Sequence, residues 1–160
     1  MDYIIRCIEP GDDASLAKII RNSLEEFKAN KKGTVYYDES TDHLSDLFKT
    51  PRSRYFVAVA ENRILGGAGI FPTEGLPEGM SELVKMYLLP EARGHGIGSV
   101  LISTCIEFAK SIGIRTIYIE TLPELSTAVR VYEHLGFHYL EKPMGDSKHS
   151  GCSLWMIKHL

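Results

Sequence analysis

A mixed α/β fold is predicted, with about seven strands in one mostly antiparallel sheet and helices on both faces. Three observations carry this prediction. Strand-like and helix-like hydrophobic patterns follow one another in the order β-α-α-β-β-β-α-β-α-β-β. Two central strands are joined through a helix of about four turns, which makes that pair parallel, while short turns and loops make most other pairs antiparallel. With 160 residues, 44% hydrophobic and 24% charged, the chain reads as one domain over 1–160, long enough for a core of its own.

Residues 3–9 alternate as a first strand and stop at Pro10-Gly11. Asp12 and Asp13 are placed to cap a helix whose inward positions are Leu16, Ile19, Ile20, Ser23, Leu24 and Phe27. Lys28 to Gly33 reads as a solvated basic exit turn that complements the helix dipole. Thr34 to Ser40 is expected to be a loop, and Leu44, Leu47 and Phe48 form a short helix before Pro51. Tyr55–Ala60 and Ile64–Phe71 pair as a hairpin across Glu61-Asn62-Arg63. Gly66, Gly67 and Gly69 in the second of these strands point to a bulge or a close backbone approach.

After a Pro- and Gly-rich loop comes the strand Ser81–Leu88, then a glycine-rich stretch and a helix. That helix carries Ile97, Val100, Leu101, Thr104, Cys105, Phe108, Ala109 and Ile112 in one stripe, with Gly113 just past its end. Arg115–Thr121 is a β-branched strand and Pro123–Leu135 a second amphipathic helix closed by Gly136. Phe137–Glu141 and Ser153–Ile157 flank a polar loop and are expected to pair antiparallel.

Composition narrows the function. A formal charge of −3 argues against a broad nucleic-acid-binding face. No apolar run reaches the roughly 18 residues of a membrane span, and Met1-Asp2-Tyr3-Ile4-Ile5-Arg6 lacks the features of a secretory signal, so the expected compartment is the cytoplasm. Three cysteines and six histidines are scattered, and Gly136 keeps His134 and His138 off a shared helix face, so no metal is expected. Cys105 falls on a core face and Cys152 near the chain end, so neither suggests an acyl-enzyme.

The stretch from Leu88 to Ser99 carries the strongest chemical signal. Gly94, Gly96 and Gly98 remove every Cβ that would keep a ligand from the main chain, and the helix behind them starts with unpaired amides. Arg93, those N–H groups and the positive end of the helix dipole converge on one volume suited to a pyrophosphate. No Lys-Ser/Thr pair follows the glycines, which excludes a P-loop. A Rossmann turn competes, through Gly94-x-Gly96-x-x-Ser99 with Glu120 about 20 residues on. Pro90-Glu91-Ala92-Arg93 between strand and glycine, and a chain that does not begin with the nucleotide fold, weigh against it.

Read as Arg93-x-x-Gly96-x-Gly98, the stretch resembles motif A of the GNAT superfamily of acyl-CoA-dependent N-acetyltransferases. Ala128-Val129-Arg130-Val131-Tyr132-Glu133-His134-Leu135-Gly136-Phe137 resembles that family's Ala-x-x-x-Tyr-x-x-x-Gly-Phe element. The strand Glu82–Leu88 with its Pro-Glu, and the hairpin ending Ile64-Leu65-Gly66-Gly67, fall in the family's order, so the resemblance spans nearly the whole chain.

The resemblance implies a sheet splayed at its parallel pair and acetyl-CoA as co-substrate. Arg93, Gly94, His95, Gly96, Ile97, Gly98 and Ser99 would hold the pyrophosphate. The backbone edge at Met86 and Leu88 would take the pantetheine arm, with a Leu88 amide available to the thioester oxyanion. The acceptor would be a primary amine of a small molecule or peptide, attacking directly in a ternary complex. Tyr132 matches the family's acid, and Glu82 is the candidate base. Tyr36, Tyr37 and Asp38 lie in the region that usually shapes the acceptor pocket. Leu125 stands where an asparagine is common, leaving Thr121 or Ser126 to replace its contact. Either a monomer or a homodimer fits. A non-catalytic acyl-CoA sensor would carry the same coenzyme motif.

Overall fold

Seven strands share one sheet in the order β1-β2-β3-β4-β5-β7-β6 in the computed structural model, which describes all residues from Met1 to Leu160. The strands are β1 (Ile4–Cys7), β2 (Arg54–Ala60), β3 (Arg63–Phe71), β4 (Met80–Leu88), β5 (Thr116–Thr121), β6 (His138–Leu140) and β7 (Leu154–His159). Only β4 and β5 run parallel. Four helices cover the sheet: α1 (Asp13–Glu26), α2 (Leu44–Leu47), α3 (Ile97–Ser111) and α4 (Ser126–His134). No helix is long and apolar enough to cross a membrane.

The core is divided by the sheet. On one face α3 and α4 bury Ile97, Leu101, Ile102, Cys105, Ala109 and Tyr132 against β2 to β5. On the other, α1 and α2 bury Leu16, Ile20, Leu24, Leu44 and Phe48 against Tyr55 and Val57. These sets are the stripes that 3.6-residue periodicity places on one side of each helix. Two details differ from the sequence reading. In α3 the buried stripe is rotated towards Ile102, and Val100 is exposed. In α4 the turn at Leu122–Leu125 replaces the expected first helical turn, so the helix starts at Ser126 rather than Pro123.

Asp12 stands at the N-cap position of α1, but its side chain makes no bond to the helix amides. Its carboxylate accepts two hydrogen bonds from Arg6, at 2.8 and 2.9 Å, and one from the Glu9 amide, at 2.8 Å. Asp13 reaches across to α2 and accepts from the Ser45 amide and hydroxyl. Asp12 thus braces the turn between β1 and α1, and Asp13 ties α1 to a segment 32 residues on.

The expected irregularity in β3 is present, and it shapes β4. Gly67 faces Tyr87 and Gly69 faces Val84, so one residue of β3 lies opposite two of β4, Lys85 and Met86. Lys85 takes a left-handed backbone, φ 54°, the signature of a bulge. The extra residue sends Val84 and Tyr87 to the α1 face and Leu83, Met86 and Leu88 to the α3 face. The bulge is held by Tyr55, which lies across the glycines and donates its hydroxyl to the Lys85 carbonyl at 2.8 Å.

A Cβ on Gly67 would stand 2.4 Å from the Tyr55 ring and 2.6 Å from the Phe56 carbonyl oxygen. Gly67→Ala is accordingly expected to destabilise the fold by about 1–3 kcal/mol, the usual cost of overpacking, read as a lower denaturation midpoint in urea.

Candidate active site

The parallel ladder between β4 and β5 covers only Met80–Glu82 against Thr116–Tyr118. Beyond Glu82 the strands part, and a cleft of about 280 Å³ opens along the free side of β4. Its floor runs from the glycine turn at one end, past Met86, Leu88 and Tyr132, to Glu82, Lys85, Glu120 and His149 at the other.

At the glycine end the main chain offers donors. Gly94 and Gly96 have φ of 79° and 78°, and a Cβ on either would point into open space. Gly96 caps α3 and its carbonyl accepts from Val100. The amides of Gly94, His95, Gly96, Ile97, Gly98 and Ser99 find no acceptor in the protein. Six successive N–H groups at a helix start form an anion cradle. His95 is exposed on the outside of the turn, while Arg93, Gly94, Gly96, Ile97, Gly98 and Ser99 line the cleft.

The Arg93 guanidinium turns towards α1. It pairs with Glu26 at 2.6 Å, donates to the Leu88 carbonyl at 3.1 Å and lies 4.9 Å over the Phe27 ring. The contact to Leu88 also fixes direction. The N–H and C=O of one strand residue point to the same side, so the Leu88 amide faces the gap between β4 and β5 rather than β3.

Tyr132 is buried beside Phe137 on the α3 face. Its hydroxyl has no partner in the protein, yet no buried polar side-chain atom is left unsatisfied, so the hydroxyl opens onto the cleft it lines. Burial holds this phenol well above its ordinary pKa and therefore protonated.

The other end is densely charged. Glu82 is 4% exposed and accepts from the Thr73 hydroxyl at 2.6 Å. Burial pushes its carboxyl up to about 7; the Thr73 bond works the other way and repulsion from Glu120 adds to the rise. Glu120 accepts from Tyr118 at 2.7 Å and from Ser147. His149 Nε2 lies 2.7 Å from Asp38 Oδ2. Burial tends to raise Asp38, but the His149 bond and the Lys85 charge outweigh it and keep the carboxyl below its usual range. Glu82, Glu120 and His149 offer ligand atoms within 4.8 Å of one another, but Glu120 and His149 are already engaged and Lys85 adjoins them.

Of the expected acceptor residues, only Asp38 reaches this cluster. Tyr36 is turned to α1, donating to Glu25, and stacks edge-on with Tyr37, which is 60% exposed. Thr121 and Leu125 line the cleft, and Ser126 does not. Lys85, Glu120 and His149 join it unforeseen. Cys152, near the chain end, also lines it. Burial and the nearby carboxylates push its thiol up to about 12, so it is no ready nucleophile.

Residues 18–137 match the acetyltransferase (GNAT) family. The chain belongs to this family. GNAT relatives at the sequence level include the uncharacterized N-acetyltransferase YjgM of Escherichia coli K12, 32% identical over 158 residues, or 98% of this chain and 95% of the relative. A GNAT acetyltransferase of Staphylococcus aureus superposes with a TM-score of 0.84 at 20% identity, over 99% of each chain. The PaiA N-acetyltransferase of Thermoplasma acidophilum, solved in complex with coenzyme A, gives 0.78 at 18% identity over 100% of each. The protein is thus an acyltransferase on a GNAT fold. A mostly antiparallel sheet with a short helical turn between β4 and the glycines is not a Rossmann unit, which removes that alternative.

Proposed function

We propose that this GNAT protein transfers the acetyl group of acetyl-CoA to a primary amine by direct attack in a ternary complex. The observation that carries the reading is the row of six unpartnered amides lying at one end of a cleft whose other end holds a buried carboxyl and a charged cluster. The amides take the coenzyme pyrophosphate, and the pantetheine arm lies along β4 by Met86 and Leu88. That route brings the thioester carbonyl to the Leu88 amide, which stabilises the developing oxyanion. The PaiA neighbour, solved in complex with coenzyme A, supports the choice of coenzyme.

An alkylammonium costs about 4–5 kcal/mol to deprotonate at pH 7. Glu82, directly or through water, takes that proton; the amine nitrogen bonds to the acyl carbon, the carbon–sulfur bond breaks, and the second proton that the nitrogen sheds passes through water to restore the Tyr132 phenol. Tyr132 gives its proton to the leaving thiolate, whose basicity the same burial raises. Release of free thiol from acetyl-CoA with an amine panel tests the whole reading; binding of acetyl-CoA without turnover of any amine contradicts it.

Glu82 sets opposite pH trends for rate and stability. With its carboxyl at about 7, kcat/KM should climb as pH rises towards that value and level above it, and Glu82→Gln should erase the climb. The folded-state value lies above the ordinary 4.5, so the native state binds the extra proton between the two. Stability from this group is complete below about 4.5 and is lost as pH rises through about 7. Glu82→Gln should therefore raise the melting temperature more at pH 8 than at pH 5, and equal shifts at both would contradict the burial of a titrating group.

A further inference from the structure

Lys85 presents a charge whose hydrogen-bonding need the protein leaves unmet. Its side chain is 5% exposed, and the nearest carboxylate oxygen, Asp38 Oδ2, is 3.9 Å away and already engaged with His149. The Nζ atom makes no hydrogen bond, and since no buried side-chain nitrogen or oxygen goes unsatisfied, it opens onto the cleft. Desolvating an ammonium without a hydrogen-bonded partner is costly. Here the group is also carried by a residue in a left-handed backbone, pinned through Tyr55. A lysine held that firmly at the acceptor end of the cleft, with three free donor positions, is built to meet an anion.

We propose that Lys85 receives the carboxylate of the acceptor, which is therefore an amino carboxylate whose amine faces Glu82. This rests on the acetyltransferase reading above and names its substrate class. Charge supports one negative group beside one positive group. Asp38, Glu82 and Glu120 gather with Lys85 and His149 around the same space, so a zwitterion, whose ammonium meets a carboxyl group and whose carboxylate meets Lys85, adds no net charge there. A polyamine would set a second ammonium against Lys85. A doubly charged phosphate would meet three carboxyl groups. A single carboxylate satisfies the ammonium at the least repulsion, and fixing both ends of a small molecule aims its nitrogen at the thioester.

The test compares free amino acids with their carboxamides and decarboxylated amines, at saturating acetyl-CoA, for the wild type, Lys85→Met and Lys85→Arg. The wild type is expected to favour the acid over its carboxamide by about tenfold or more in kcat/KM, the scale of a lost charge-assisted hydrogen bond. Lys85→Met should bring that ratio to within about twofold of unity, and Lys85→Arg should keep the preference, since its guanidinium also pairs with carboxylates. Calorimetry of the amino acids against the coenzyme A complex gives a readout independent of turnover, and melting temperatures check that each variant is folded. Equal use of acid and carboxamide by the wild type would overturn the inference. So would an equal slowing of both by Lys85→Met, or amino acids that neither bind nor react while simple amines do. A protein that fails to bind acetyl-CoA would instead bring down the transferase reading, and this inference with it.

Discussion

Gly96→Val will sharply weaken coenzyme binding while the protein remains folded. Gly96 sits at φ 78°, and its missing Cβ points into open space at the mouth of the amide cradle. A β-branched side chain is strained at that φ and pays about 1–2 kcal/mol to stay there. It also fills the volume through which a phosphate must approach the six amides. Loss of those hydrogen bonds, each worth about 1.5–3 kcal/mol when made to a charged group, brings the expected fall in acetyl-CoA affinity to about a hundredfold or more. Calorimetry reads the affinity and a thermal melt checks the fold, since a Cβ at this position meets no neighbouring atom within 4 Å. Tight binding by this variant would show that the coenzyme lies elsewhere.

The second large effect falls on rate. Tyr132→Phe keeps the ring that packs on Phe137 and removes only the hydroxyl that faces the cleft. General acid catalysis is typically worth about 10²–10⁴, so kcat is expected to fall well over tenfold. Coenzyme affinity should stay nearly unchanged, because the amides proposed to take the pyrophosphate lie in the glycine turn beyond β4. Wild-type rates from pH 7 to 9 would remove Tyr132 from the reaction.

The sequence made some of this legible because the signal was local. Strand alternation, helical stripes and the triple glycine are each written within some fifteen residues, and the elements they announce are the ones the fold contains. The Tyr132 position and the glycine cradle were likewise visible in short motifs. The acceptor end was not. His149 meets Asp38 across 111 residues of chain, and no local pattern joins a late polar loop to an early one. Nothing in the strand Ser81–Leu88 itself sets Lys85 apart from its neighbours. Its bulge depends on Gly67 and Gly69 lying across the sheet, with Tyr55 beneath them. Asp12 had the residue type of a helix cap, but Arg6 and the Glu9 amide claim its oxygens first. Residue type names the kind of bond a side chain can make, and the neighbours the fold sets beside it decide which one is made.

The brace at Arg93 has a consequence for how the cleft is loaded. One guanidinium ties Glu26 of the first helix to the carbonyl end of the strand whose amide edge stands free. The wall and the edge are therefore joined by the protein's own charges, independently of any cargo. A coenzyme seated as proposed would enter a mould already set, its binding energy going to contact and dehydration instead of to assembling the mouth.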